Sequence, residues 1–227
     1  MIYFDNVTKK FSENCIALQD VSFGISEGEF ISLVGKSGAG KTTLLKLLLG
    51  YEKPTSGDIV FEGKSVSSMS PKELPYHRRK IGFVHQDFKL LPQKTVFENV
   101  AFALEVFGKS EKEIKRIVPQ ALDLVGILDK KDNFPEELSG GEQQRTAIAR
   151  AIVIQPKVLV ADEPTGNLDI YNTREIVNLF LKINKLGTGV ILATHNREVV
   201  NIIQKRVIVL DKGKIVRDQQ KGGYCLF

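Results

Sequence analysis

Cysteine is almost missing from this chain of 227 residues: Cys15 and Cys225 are its only two, and they form no CxxC pair. A zinc site or redox pair built on thiols is therefore unsupported, and two thiols without a disulfide framework fit a reducing cytoplasm. No apolar run is long enough to cross a bilayer, so work at a membrane requires recruitment by a partner. The first residues, Met1-Ile2-Tyr3-Phe4-Asp5, lack the charged-then-apolar layout of a signal peptide. There is no internal repeat and no low-complexity segment. An excess of charge of one sign is also small, with 32 Lys and Arg against 27 Asp and Glu and a formal charge of +5. That balance suits an anionic nucleotide or a place beside anionic lipid and does not call for nucleic acid. The nearest basic cluster, His77-Arg78-Arg79-Lys80, reads as a solvated turn before a strand.

At 42% hydrophobic and 26% charged residues the composition is that of an ordinary globular protein, with room for one large domain or a core with a smaller lobe. Ile2 to Val7 predicts an edge strand, and Val21 to Ile25, Phe30 to Val34, Asp58 to Phe61 and Ile81 to Val84 predict further strands. After Gln86 the period changes. Phe97, Val100, Ala101, Leu104 and Phe107 recur at helical spacing, and Ser110 with Glu113 forms a capping box. Ile114, Ile117, Val118, Ala121, Leu122 and Val125 then make an apolar stripe that Pro119 should bend or divide. Ala147, Ile148, Ala151 and Ile152 form another short apolar face. Residues from about 87 to 155 thus predict a helical insert in a sheet-containing core made of about 1–86 and 156–227. Strand character returns at Val158 to Ala161, Val190 to Thr194 and Val207 to Leu210, with a helix capped by Asn172 between the first two. Continuous apolar strands alternating with helices imply a parallel sheet covered on both faces. The end, Lys221 to Phe227, reads as a loose tail.

Three stretches carry chemistry. The first is Gly35-Lys36-Ser37-Gly38-Ala39-Gly40-Lys41-Thr42, set between the apolar run Phe30 to Val34 and the leucine-rich run Leu44 to Leu49. Strand, glycine loop and helix are the context of a phosphate-binding P-loop. Glycines let backbone N–H groups point inward at an anion, and the helix adds its positive N-terminal end. Lys41 can reach the β- and γ-phosphates, and the Thr42 hydroxyl can hold Mg²⁺. The second stretch is Val158-Leu159-Val160-Ala161-Asp162-Glu163, two carboxylates at the carboxyl end of a buried strand, where open α/β sheets bind ligands. Asp162 suits the Mg²⁺ shell and Glu163 suits orienting an attacking water. The third is Leu138-Ser139-Gly140-Gly141-Glu142-Gln143, a second helix start that offers N–H groups to phosphate. Phe11 could stack on a base or cover the sheet edge, and His195 could be a satisfied core histidine or a site residue.

Together these motifs resemble the nucleotide-binding subunit of an ABC ATPase over nearly the whole chain. Gly35 to Thr42 matches the family's Walker A, with Thr43 following, Leu159 to Glu163 its Walker B, and Leu138 to Gln143 its signature. Gln86 matches the Q-loop, Gly166-Asn167-Leu168-Asp169 the D-loop, and His195 the switch histidine. The resemblance implies an α/β fold, a P-loop NTPase of the ABC type, with a mostly parallel core sheet, an antiparallel β edge and an inserted helical subdomain. It implies ATP hydrolysis with Mg²⁺ held by Thr42, Gln86 and Asp162, an adenine platform at Phe11, and catalytic roles for Glu163, His195 and Gln86. It also implies a homodimer on ATP binding, in which Ser139, Gly140, Gly141 and Gln143 act on the nucleotide of the other copy. Within the family the stretches Phe83 to Leu91, Thr95 to Val100 and Thr194 to Glu198 are similar to those of a cell-division branch, whose partner is a polytopic membrane protein of the FtsX type; lipoprotein-releasing and macrolide-export ATPases share Asp162 to Asp169. The apolar residues Phe88, Leu90 and Leu91, with the helix from Phe97, suggest where a membrane partner's cytoplasmic helix would dock. The work is then expected on the inner face of the cell membrane.

Overall fold

The computed structural model describes residues 1–220; the expected tail and Cys225 lie outside them. The described residues form two sheets. The first is antiparallel and joins β1 (Ile2–Ser12), β2 (Cys15–Ile25), β4 (Ser56–Phe61) and β5 (Lys64–Ser65) in the order β2-β1-β4-β5. The second contains β3 (Phe30–Val34), β6 (Ile81–Val84), β7 (Val158–Asp162), β8 (Gly189–Thr194), β9 (Arg206–Asp211) and β10 (Lys214–Gln219), in the order β10-β9-β3-β8-β7-β6. All its neighbours pair in parallel except β10 on β9. The antiparallel element is thus mainly a sheet of its own. The expected edge strand at Ile2 to Val7 is longer and lies inside that sheet, paired with β2 on one side and β4 on the other.

The helices are α1 (Lys41–Leu48), α2 (Leu74–Arg78), α3 (Val96–Val106), α4 (Glu111–Val125), α5 (Gly140–Ile152), α6 (Ile170–Lys185) and α7 (Arg197–Ile203). Strand alternation divides the core in two. Ile31, Leu33, Val160 and Ile191 face one way, onto Leu44, Leu45, Leu47 and Leu48 of α1, whose other side meets Phe4, Val7 and Ile59 of the antiparallel sheet. Burying each of these leucines contributes about 1.5–3 kcal/mol. Phe30, Leu159, Val190 and Leu192 face the other way, onto α3, α4, α5 and α6. β3 and β8 are therefore buried on both faces along their whole length, as parallel strands require.

Two local expectations need correction. Pro119 does not divide α4, which runs from Glu111 to Val125 with Val118, Ala121 and Leu122 packed in the core on either side of the ring, so of the two expected outcomes division is the one corrected. Asp169, rather than Asn172, caps α6: its Oδ1 accepts hydrogen bonds of 2.9 Å from the backbone N–H groups of Tyr171 and Asn172.

A third correction concerns His77 to Lys80, which is not a solvated turn. His77 is buried, its Nε2–H donates to the Leu48 carbonyl at 2.7 Å, and its ring meets Phe61 edge-on. Arg78 donates to the carbonyls of Leu49 at 2.9 Å and Gly50 at 3.0 Å, with its guanidinium over Tyr51. Together they cap the carboxyl end of α1, where carbonyls otherwise lack partners and cations are favoured. Arg79 lies over Tyr76 and Phe107, so the same segment also touches the end of α3. A hydropathy pattern cannot show this, because the apolar stems and rings belong to residues that read as polar.

Burial is the main cause that holds the His77 pKa below its ordinary value, and its buried Nδ1 has no partner to receive a second proton's bond. The stabilisation is full above the unfolded pKa and is lost as pH falls through the lowered folded value. Urea unfolding between about pH 7 and pH 5 should lose stability faster in the native chain than in His77→Gln, by up to about 1.4 kcal/mol per pH unit. Parallel curves would remove His77 as the source.

Candidate nucleotide site

The parallel registers pair Val34 with Thr194, Asp162 with Ala193, and Val84 with Ala161. The carboxyl ends of β3, β8, β7 and β6 therefore lie along one edge of the sheet. The P-loop follows Val34, His195 follows Thr194, Asp162 and Glu163 close β7, and Gln86 comes just after β6. They line one cavity of about 360 Å³, with Ser37, Gly38, Ala39, Gly40, Lys41, Thr42, Thr43 and Ala17.

Backbone geometry shapes the loop. Gly40 has φ 107° and caps α1, and a Cβ there would lie 2.6 Å from the Ala17 carbonyl oxygen of the β1–β2 hairpin. A Cβ at Gly35 would collide with the Leu210 carbonyl oxygen. The N–H of Gly213, in the β9–β10 turn, donates to Ala39. The hairpin and turn clamp the loop mainly through backbone, with the Leu18 side chain also against Gly40, so they carry little sequence signal.

Lys41 is 6% exposed, and its Nζ donates to the Gly35 carbonyl at 2.7 Å and the Lys36 carbonyl at 3.3 Å. It also stands 3.3 Å from Oε1 of Glu163. That same Oε1 accepts from Nδ1 of His195 at 2.8 Å, and Oε2 accepts from the His195 backbone N–H at 3.3 Å. A carboxylate only accepts, so Nδ1 carries the ring proton here. Glu163 itself has φ 49°, anchored by its N–H to the Ala193 carbonyl. A left-handed residue that is not glycine is uncommon and marks a position held by its surroundings.

Asp162 behaves differently. The Thr42 hydroxyl donates to its Oδ2 at 2.8 Å, while Oδ1 is buried with no partner. Burial, then the charge of Glu163, raise its pKa above the ordinary carboxylate value. A hard divalent cation would supply what that oxygen lacks, and a hydroxyl beside a carboxylate is a donor set that fits Mg²⁺. Among the described residues no group of three or more His, Cys, Asp or Glu could hold a metal ion, so such an ion would take most of its oxygens from phosphate and water. The Gln86 side chain reaches Gly166, where a Cβ would lie 3.0 Å from its Nε2, and the Gln86 backbone carbonyl accepts from Asn167 Nδ2 at 3.3 Å.

The other predicted residues lie elsewhere. Phe11 is 54% exposed, with the Lys9 ammonium over its ring, and it does not line this cavity. Ser139 caps α5 and, with Gly141, lines a separate cavity of about 370 Å³. Gly140 faces Leu168, and Gln143 turns back to the Leu138 carbonyl. A Cβ at Gly141 would collide with Asn172 Oδ1, so the Asn172 side chain would have to turn away to admit one. Phe88, Leu90 and Leu91 are half-buried, while Phe102 and Val106 of α3 are exposed. Arg150, which the motif search missed, reaches from α5 to the carbonyls of Phe88 at 2.8 Å and Lys89 at 2.7 Å. Both of those residues have positive φ.

Residues 18–166 match the ABC transporter family. The chain is 51% identical over 224 residues to the cell division ATP-binding protein FtsE of Bacillus subtilis, covering 99% of this chain and 98% of that protein. It is 46% identical over 215 residues to FtsE of Escherichia coli, covering 95% and 97%. Among solved structures it is similar to the ATP-binding cassette MJ0796, in a dimeric post-hydrolysis state bound to ADP and Pi, with a TM-score of 0.87, 35% identity and coverage of 99% and 100%. A matched domain over more than half of the chain and relatives of this identity over nearly all of it agree with the site's geometry: the chain belongs to the ABC transporter family and is an ABC-type ATPase.

Proposed function

We propose that this ATPase is the energy-converting subunit of a cell-division complex, pairing with a second copy on ATP and acting on a polytopic membrane protein of the FtsX type. The observation that carries the pairing is the division of the anion-binding parts between two cavities. Lys41, Thr42, Asp162, Glu163 and His195 line one, while Ser139 and Gly141 line the other. A second copy would bring the missing helix start, Ser139 with Gly140, Gly141 and Gln143, against the triphosphate. The cell-division role is supported by the full-length relatives named FtsE in Bacillus subtilis and Escherichia coli.

In this reading the backbone of Gly35, Lys36, Ser37, Gly38, Ala39 and Gly40 cradles the phosphates with Lys41, Thr42 and Thr43, and Phe11 stacks on the adenine. Thr42, Asp162 and Gln86 hold Mg²⁺, which neutralises charge on the β- and γ-phosphate oxygens when bound. Glu163 orients a water for in-line attack on the γ-phosphorus; the bond to the bridging oxygen breaks, leaving ADP and phosphate. His195 fixes the Glu163 carboxylate and senses the γ-phosphate. Lys41 touches both the phosphate cradle and Glu163, so phosphate arrival reorients the group that positions the water. Asp169 and Gln86 would relay this state, with residues 87–155 moving as a helical lobe against a core of 1–86 and 156–227.

No helix among the described residues is long and apolar enough to cross a membrane, so attachment to the inner face of the cell membrane would come through the partner. The exposed Phe102 and Val106, one turn apart on α3, the helix whose Asn99 bonds Leu91, support docking there.

Glu163→Gln should bind ATP, lose turnover at least about 100-fold and accumulate as a dimer in size-exclusion chromatography, and Lys41→Ala should lose nucleotide binding. A monomeric Glu163→Gln in excess MgATP would refute the pairing. Phe102→Glu with Val106→Glu should abolish recruitment to membranes carrying the partner while ATP binding stays intact; co-purification with an exporter permease instead would replace the cell-division assignment.

A further inference from the structure

The helix start assigned to the partner's phosphate is already engaged by a carboxylate of its own. The Ser139 hydroxyl donates to Oε2 of Glu142 at 2.8 Å, and the Ser139 backbone N–H donates to the same oxygen at 2.8 Å. The N–H of Glu142 returns to the hydroxyl oxygen at 3.4 Å. This is a capping box, and it has a chemical consequence. A serine hydroxyl has one proton, and here that proton is committed to Glu142. A terminal phosphate carries acceptors only, so the hydroxyl can bond it only by leaving the carboxylate.

The surroundings do not cancel the charge. The cavity before this helix start carries Asp129, Glu142 and Glu175 against the single guanidinium of Arg145. That guanidinium is bonded to the Val125 carbonyl and Glu175, both at 2.6 Å. Lys130 comes only to 3.9 Å from Glu142. Hydrogen bonds from Ser139 also hold the Glu142 carboxyl below the usual carboxylate range, so it is ionised at neutral pH.

We infer that Glu142 is a positioning residue that reserves the Ser139 hydroxyl and sets the ATP threshold for pairing of two copies. This rests on the proposal that Ser139 acts on the other copy's nucleotide. Pairing must exchange a hydroxyl–carboxylate bond for a hydroxyl–phosphate bond and bring two anions to one helix end, which is unfavourable until the triphosphate is fully seated.

The test uses the Glu163→Gln chain, in which turnover does not obscure association, and follows the dimer fraction by sedimentation as MgATP is titrated. Glu142→Gln keeps the capping box, since glutamine serves there as well, but removes the charge. It should lower the ATP midpoint at least about threefold with the melting temperature unchanged. Lys130→Ala should raise the midpoint. Ser139→Ala should weaken pairing and, combined with Glu142→Gln, remove most of that variant's gain, which a purely structural role of Glu142 would not do. A Glu142→Gln midpoint equal to or above the parent, with Ser139→Ala still weakening pairing, overturns this inference alone. If Ser139→Ala pairs as well as the parent, the two-copy assignment of Ser139 is what fails.

Discussion

A buried ammonium sets the terms for the whole site. Lys41 lies almost fully out of water, and an uncompensated charge there would cost several kcal/mol. Its compensation comes from the Gly35 and Lys36 carbonyls and from Glu163. The first two belong to the loop before α1 and the third to the end of β7, so α1 has one depth and one rotation between the sheets that satisfies its own first residue. His77 and Arg78 hold the opposite end of that eight-residue helix by its carbonyls. A helix about 12 Å long tied at both ends transmits position rather than absorbing it.

The second arrangement is α5. Ser139 stands at its start and Arg150 near its end, about 16 Å apart along a helix. Arg150 bonds the carbonyls of two successive left-handed residues in the segment after Gln86, and buried Asn99 of α3 holds Leu91 and Lys94 farther along that segment. The helix start proposed to meet a second copy and the loop leaving the nucleotide edge are thus joined through one rigid element. The loop's strained backbone persists because half-buried Arg150 on α5 and buried Asn99 on α3 over-determine it.

Much of the site could be read in the chain. Gly35 to Thr42, Asp162 with Glu163, and the Ser139 start each sit where an apolar strand or helix pattern changes, and the structure puts the first two at one sheet edge. What could not be read falls into two kinds. Contacts made by backbone, such as the Ala17 and Leu210 carbonyls against the P-loop glycines, leave no trace in residue type. Contacts made by residues that read as polar, such as the Nε2–H of His77 and the guanidinium of Arg78 on the end of α1, are disguised by residue type, which is why a cluster resembling a solvated turn proved to be a helix cap. Asn172 looked like the cap of α6 because it opens the apolar pattern, yet Asp169, one turn earlier, has the extended backbone that capping needs.

The sequence by itself determined the local chemistry: a glycine loop between a strand and a helix can cradle an anion, and a carboxylate pair ending an apolar strand can serve a metal and a water. Those are properties of residue type and spacing, which the chain carries everywhere it goes. Only the tertiary structure decided that Lys41 and His195, more than a hundred residues apart, share one oxygen of Glu163, and that Ser139 faces a different cavity. Distance between remote residues is set by strand order and register, and these depend on the packing of the entire core.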